Sequence, residues 1–311
     1  MTFSVTILGS SSALPTSKRF PAAHVFNTHE RLFLVDCGEG TQIQLRKYKL
    51  KLSRLERIFI SHLHGDHVLG IFGLISTLNL LGRKAPLAIY AHQEFEPILN
   101  KNINFFINNL QFAISFIPIK ANQEKSILFE DQQIIVETFP LKHRIPCNGF
   151  IFKEKEKTPN IKKHLIEKYC IPLSEIVRIK QGANFTLPTG KVIPNSELTY
   201  LSSSPRSYAY CSDTMFFSKL AEYVKNVDLL YHEATFGSEM ASLAKQTGHS
   251  TASDAAKIAS LAKAKKLVIG HFSSRYKDID PLLTEAQQIF PNTSAATEGD
   301  IFKIEANRVK L

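Results

Sequence analysis

The sequence predicts an α/β protein whose sheets carry helices on their outer faces, and three observations lead to that class. Strand-like and helix-like segments alternate through the first half of the chain. The alternation breaks between about residues 153 and 195 and resumes after residue 210. Finally, the polar run Ser61-His62-Leu63-His64-Gly65-Asp66-His67 leaves the end of an apolar strand, as expected where loop chemistry gathers above a rigid sheet. At 311 residues and 44% hydrophobic composition, the chain has enough apolar material for a sizeable core in one large domain or two ordinary ones.

The elements follow in order. Ser4–Leu8 and Arg31–Val35 read as strands from their β-branched and aromatic content, and Gly38–Lys49 as a helix. Arg57–Ile60 is an apolar strand, and the His-rich run feeds a long apolar helix over Val68–Leu81. Leu87–Tyr90 returns as a strand and Glu94–Asn108 as a helix, followed by strands near Phe112–Phe116, Ile134–Phe139 and Gly149–Phe152. After the interruption come strand Ser207–Tyr210, helix Met215–Val224, strand Val227–Tyr231 and helix Thr251–Lys263. Strand Lys266–Ile269, helix Pro281–Phe290 and strand Ile301–Ile304 complete the pattern. No fixed-period repeat is present.

The pattern H-x-H-x-D-H places three imidazoles and a carboxylate within six positions. These are the usual ligands of zinc and related divalent ions, and four together exceed what one open catalytic site uses. Two adjacent metals are therefore expected, with further ligands at other strand ends. His143 follows the strand ending at Phe139, Asp213 the strand ending at Tyr210, and His271 the strand ending at Ile269. Asp213 is the natural bridge, since a carboxylate has two oxygens and an imidazole one available donor. Its position before Met215–Val224 also suits a helix cap, as Ser250 and Thr251 suit the cap of the next Ala-rich helix. His92 has no matching partner and reads as structural, and His24, His29 and His164 look ordinary. His249 is a candidate for proton transfer.

Charge and cysteine usage narrow the class. The net charge is +10, and residues 153–180 hold eight Lys or Arg against four Glu. An anionic partner is expected, nucleic acid first among them. No run of 18 apolar residues suggests a membrane span, and the first residues lack the pattern of a secretory leader, so a cytoplasmic location is expected. The four cysteines are scattered and form no C-x-x-C pair, which indicates reduced, mostly buried thiols.

These residues together resemble the metallo-β-lactamase superfamily and, within it, the short-form tRNase Z family of tRNA 3′-processing endoribonucleases. The superfamily resemblance rests on His62, His64, Asp66, His67, His143, Asp213 and His271 in order. The narrower one rests on Asp36-Cys37-Gly38-Glu39-Gly40-Thr41-Gln42, Leu14-Pro15-Thr16, His232-Glu233-Ala234-Thr235, Gly248-His249-Ser250-Thr251 and His271-Phe272-Ser273-Ser274-Arg275-Tyr276. The resemblance implies an αββα sandwich in a single domain over residues 1–311. It implies two Zn2+ per chain, with Mn2+ or another divalent ion as the alternative. His62, His64 and His143 would hold one ion, Asp66, His67 and His271 the other, with Asp213 between them. A homodimer is also implied, with no membrane and no DNA partner.

The family carries a flexible RNA-binding arm between the positions matching His143 and Asp213, and residues 153–195 fall in that interval. Substrate contacts are accordingly expected at Lys153, Lys155, Lys157, Lys162, Lys163, Lys168, Arg178 and Lys180, and at Ser273 and Arg275. The arm departs from the family in one respect: Ile171-Pro172 is followed by Leu173-Ser174-Glu175 where a Gly-Pro pair is usual.

The expected reaction is phosphodiester hydrolysis of precursor tRNA, leaving a 3′-hydroxyl and a 5′-phosphorylated trailer. Asp66 would act as ligand and proton acceptor, and His249, oriented by Glu233, as proton donor to the leaving oxygen. Three alternatives compete. A small (cyclic) nucleotide phosphodiesterase shares the ligands but has no use for the basic segment. A non-catalytic RNA-binding protein should have lost a ligand, and a di-iron redox protein usually has a carboxylate in place of an imidazole of the loop.

Overall fold

A computed structural model describes residues 2–121 and 123–306. Two seven-stranded mixed sheets face each other. The first runs in spatial order Ile301–Lys303, Phe3–Gly9, Ala23–Thr28, Arg31–Val35, Leu55–Phe59, Leu87–His92 and Ile114–Ile119. The second runs Thr293–Ala295, Lys266–Gly270, Leu229–Glu233, Ser207–Cys211, Asn148–Glu154, Ile134–Pro140 and Ser126–Glu130.

Three apolar layers hold this arrangement together. Between the sheets lie Phe3, Phe26, Phe33, Phe59, Phe150, Phe152, Tyr208, Tyr210 and Tyr231. Aromatic rings fill that space in edge and stacked pairs, as Phe59 with Tyr90 at 4.6 Å and Tyr210 with Tyr231 at 5.1 Å. Outside the first sheet, Ile71, Leu74, Ile75 and Leu78 of helix Gly70–Leu80 pack on strand residues such as Leu34, Ile58 and Ile89. Outside the second, Ala255, Ala256, Ile258 and Ala259 of helix Ala252–Leu261 cover Leu230, Leu267 and Ile269. The layers are helix, sheet, sheet, helix: the αββα sandwich the resemblance implied.

Most elements fall where the residue pattern placed them, and the exceptions have local causes. Strand Ala23–Thr28 went unread because it is buried on both faces and carries His24, whose Nδ1 lies 3.0 Å from the Tyr208 hydroxyl. Strands Ser126–Glu130 and Thr293–Ala295 and helix Ala241–Thr247 were also unread. The strand expected near Phe112–Phe116 lies at Ile114–Ile119 and carries Pro118, tolerated on an edge strand. The helix expected over Met215–Val224 shortens to Lys219–Tyr223, so Asp213 caps nothing.

The charged interval is folded rather than irregular. It contains helices Lys163–Lys168, Leu173–Lys180 and Asn195–Leu198 and two short strand pairs. Its own core is Ile161, Leu165, Ile171, Ile179, Phe185, Ile193 and Leu198. Helix Leu173–Lys180 begins after Pro172 without any Gly-Pro pair; Pro172 in extended conformation serves as its N-cap residue.

This lobe joins the sandwich between strands Asn148–Glu154 and Ser207–Cys211, which pair antiparallel with Lys153 opposite Ser207. At the neck, the Glu154 amide donates to the Arg206 carbonyl at 2.8 Å, and the Arg206 guanidinium binds the Glu154 carboxylate at 2.7 and 2.9 Å. His29 Nε2 lies 3.1 Å from the same carboxylate.

Candidate metal centre

Every expected ligand stands at the carboxyl end of a strand. His62, His64, Asp66 and His67 follow Leu55–Phe59, and Asp66 and His67 fall within the short helix Gly65–Val68. His143 follows Ile134–Pro140, Asp213 follows Ser207–Cys211, and His271 follows Lys266–Gly270. Those three strands of the second sheet run in one direction, so their ends meet the His-rich loop of the first sheet. The Asn148 amide binds the Ser61 carbonyl at 3.0 Å and closes the two sheets together there.

Three non-glycine residues at these strand ends adopt left-handed backbone: Asp36 (φ 56°), Asp213 (φ 63°) and His271 (φ 59°). Such corners cost of order 1–3 kcal/mol and persist where surrounding contacts hold them. Here each turns a polar side chain back over the end of the sheet.

The donor atoms converge as two groups. His62 Nε2 and His143 Nε2 lie 3.0 and 3.3 Å from His64 Nδ1. His67 Nε2 and His271 Nε2 lie 3.3 Å apart, and each is 3.5 Å from Asp66 Oδ2. Asp213 stands between them. Its Oδ1 is 3.2 Å from both His67 and His271, and its Oδ2 is 3.6 Å from His62 and 3.8 Å from His143. This is a bridging position reached with one oxygen toward each group.

The outer nitrogens show that the inner ones are aimed. His67 Nδ1 meets Asp36 Oδ2 at 2.7 Å, His143 Nδ1 meets the Gly248 carbonyl at 2.7 Å, His271 Nδ1 meets Thr235 Oγ1 at 3.1 Å, and His62 Nδ1 meets Ser61 Oγ at 3.0 Å. Fixing one ring nitrogen this way sets tautomer and orientation and leaves the other for a metal. Imidazoles, carboxylates and no thiolate make a donor set suited to divalent ions, so these residues fit the expected metals.

Burial and mutual charge set the protonation of the cluster. Burial disfavours the Asp66 carboxylate, but His67 and His271 hold it well below the usual range. Burial likewise opposes charge on His67, which Asp213, Asp66 and Asp36 outweigh, raising its affinity for a proton. His24, fully buried beneath the site, is pushed down to about 3 by desolvation and by the neighbouring His67 and His271, and is neutral.

Beside the metal groups stands a second pair. His249 Nδ1 is 2.8 Å from Glu233 Oε1. Burial lowers His249, but Glu233 overrides it and moves it up to about 9. Glu233 is fully buried and also accepts from the Thr214 amide, the Ser250 amide and the Thr235 hydroxyl at 2.7, 3.1 and 2.6 Å. Thr251 and Asp254 form a reciprocal capping box at the start of helix Ala252–Leu261, so the capping reading holds for Thr251. Ser250 instead donates to the Thr214 carbonyl.

The expected RNA contacts are dispersed. Lys153 and Lys155 belong to the sandwich side of the neck and pair with Glu137 and Glu130. Lys162 donates to the Glu197 carbonyl, Arg178 pairs with Glu175, and Lys168 lies over the Tyr169 ring, all on the lobe. Lys157, Lys163 and Lys180 have no ion pair among the described residues. Ser273 pairs with the strand at Ser12 and Arg275 is exposed on the turn that leaves His271.

Two site residues were not assigned from sequence. Asp36 binds His67, the Ser61 amide and hydroxyl, and the Tyr210 hydroxyl. Its signal was present, a carboxylate at a strand end. Arg144 lines the pocket above the metal groups together with Ala13, Pro15, Pro21, Glu39, Leu69 and His249. Nothing but its place after His143 marked it.

Comparison with known proteins agrees with this geometry. A family model described as "Anti-Pycsar protein Apyc1" matches residues 3–158, a span that holds the His-rich loop and His143 but ends before Asp213. A ribonuclease Z of Phocaeicola vulgatus is 49% identical over 304 residues, covering 98% of each chain. One from Bacteroides fragilis strain YCH46 is 49% identical over 296 residues, covering 95% of this chain and 97% of the relative. The crystal structure of human tRNase Z, short form, superposes with a TM-score of 0.70 at 27% identity, covering 97% of this chain and 99% of that one. A metallo-β-lactamase-fold protein of Bacillus subtilis superposes at 0.68 with 18% identity, covering 97% and 100%.

Proposed function

The chain belongs to the ribonuclease Z family, and from that premise we propose that it is a metal-dependent endoribonuclease that removes the 3′ trailer of precursor tRNA. The observation that carries the reading is Asp213 facing two imidazole groups with its two oxygens. The proposal names two Zn2+ per chain, one held by His62, His64 and His143 and one by Asp66, His67 and His271, with Asp213 shared. When bound, such ions supply positive charge that acidifies water and stabilises phosphoryl oxygens.

The residues then divide the work. Water attacks the phosphorus while Asp66, whose Oδ2 also accepts the Ala13 amide at 2.8 Å, takes up its proton. The bond from phosphorus to the 3′-oxygen breaks, and His249 gives that oxygen a proton, held charged and oriented by Glu233. The phosphate stays on the trailer and the tRNA ends in a 3′-hydroxyl.

Asp66→Ala should reduce precursor cleavage by at least about a thousandfold while tRNA binding in a filter assay stays near wild type, the range expected when an acid–base group and a metal ligand are lost together. Wild-type cleavage by the purified variant sinks the assignment. Chelator should abolish activity, and elemental analysis should find two zinc ions per chain.

The lobe supplies the second part of the proposal. It leaves strands Asn148–Glu154 and Ser207–Cys211 at the ends opposite His143 and Asp213. At about 3.3 Å per residue, seven residues separate the neck from the metal end by roughly 20 Å. The lobe therefore grips the folded body of tRNA away from the cut, through backbone phosphates and shape.

A cytoplasmic homodimer completes the reading. No helix among the described residues is long and apolar enough to cross a membrane. Exposed Leu80, Leu81, Ile98, Phe105 and Phe106 lie on or beside the neighbouring helices Gly70–Leu80 and Phe95–Phe106 and form the face for a second copy. Replacing Phe105 and Phe106 by Asp should shift the sedimenting mass from two chains to one.

A further inference from the structure

The pocket over the metal groups is electrically lopsided. Glu39 stands on the Asp66 side: a Cβ on its neighbour Gly38 would come within 2.5 Å of the Asp66 carbonyl. Arg144 stands on the His249 side: a Cβ on Gly248 would lie 3.0 Å from His143 Nδ1 and 3.3 Å from Arg144 Cγ. Arg144 is exposed, and among the described residues its guanidinium has no hydrogen bond or ion pair. Arg19, by contrast, is committed: its guanidinium donates to the Ser273 and Tyr276 carbonyls.

A planar, permanently charged fork left unpaired at a phosphodiesterase pocket matches phosphate oxygens in two-point contact. Which phosphate follows from its neighbour. In the reaction above, His249 protonates the 3′-oxygen of the nucleotide that becomes the new end of tRNA. From that nucleotide the RNA backbone continues in the 5′ direction, and its next charge is the phosphate one nucleotide before the cut. The Asp66 side of the pocket carries Glu39 instead, whose carboxylate gives a phosphate no such partner.

We propose that Arg144 binds the phosphate immediately 5′ of the nucleotide released as the tRNA end, and so seats the leaving oxygen against the proton donor. Arg144 is a positioning residue for cleavage of polynucleotide, and its placement rests on His249 being that donor.

The test crosses protein and substrate changes in the metal-loaded full chain. Precursor tRNA is prepared with ordinary linkages, with one uncharged methylphosphonate at the 5′-side phosphate, or with one at the first phosphate inside the trailer. The 2′-hydroxyls beside both positions are methylated in all three. Arg144→Ala should lower kcat/KM on the ordinary precursor by about 10- to 100-fold, the range of a hydrogen bond to a charged group. Arg144→Lys should recover part of the loss. On the 5′-neutral precursor the wild type should fall to the level of the variant and the Arg144→Ala penalty should vanish; on the trailer-neutral precursor it should persist.

A penalty that survives the 5′-neutral linkage, one cancelled by the trailer linkage instead, or no penalty at all overturns the proposal. Equal unfolding midpoints and metal content show that the variants fold. The role of His249 is read separately: sulfur in place of the leaving 3′-oxygen needs no proton and should restore His249→Ala. Failure of that rescue removes the His249 reading and leaves the Arg144 cycle to stand or fall alone.

Discussion

Asp36 makes four hydrogen bonds from a buried, left-handed corner and, in the proposed site, touches no metal. Its carboxylate orients His67, ties the His-rich loop to the strand before it through Ser61, and reaches across the sandwich to Tyr210. Asp36→Asn should lower divalent metal affinity about 10- to 100-fold, measured by chelator competition, with the fold retained. Unchanged affinity would mean that the helix Gly65–Val68 alone aims His67. The ligands themselves were legible because His and Asp at strand ends announce metal chemistry. The role of Asp36 was half legible, since the carboxylate is visible but the reach of Tyr210 from the opposite sheet is not. Arg144 was illegible, because its meaning comes from the Gly248 turn, more than a hundred residues away in sequence.

At the scale of elements, the sequence read best where burial falls on one face and worst where charge or full burial hid the pattern. The segment 153–195 looked irregular because lysines and glutamates are interleaved with its apolar residues and mask their spacing, yet Ile161, Leu165, Ile171, Ile179 and Leu198 sit at spacings that let three short helices share one core. That changes how the lobe must be removed. A cut at 155–178 would break this core and expose its remainder. Replacing residues 156–204 by a short Gly/Ser linker preserves the strand pair at Lys153 and Ser207. The shortened protein should hydrolyse bis(p-nitrophenyl) phosphate normally and lose about tenfold or more on precursor tRNA, along with part of the salt dependence of binding. Equal losses on both substrates would count against a substrate-gripping lobe.

Considered as a whole, the molecule is a sandwich with a small lobe whose neck carries an ion pair between Glu154 and Arg206. Burial raises Glu154, but Arg206 and His29 outweigh it and bring it down to about 2. A carboxyl whose folded value lies below its ordinary one stabilises the fold above that ordinary value, near 4.5, and the contribution fades as pH falls from there toward about 2. Unfolding midpoints followed across that window should drop more steeply for the wild type than for Glu154→Gln. Parallel curves would place the acid sensitivity elsewhere.

The same neck fixes where the chain tears. Each body keeps its own apolar filling, so protonating Glu154 loosens the joint before either side melts. A brief acid pulse with an acid-active protease should therefore nick the backbone within both 155–160 and 199–205 first. Cutting both would leave three peptides, the lobe and the two halves of a sandwich still held together by its sheets, along a perforation already present in the fold; a smear of peptides would show that lobe and sandwich unravel together.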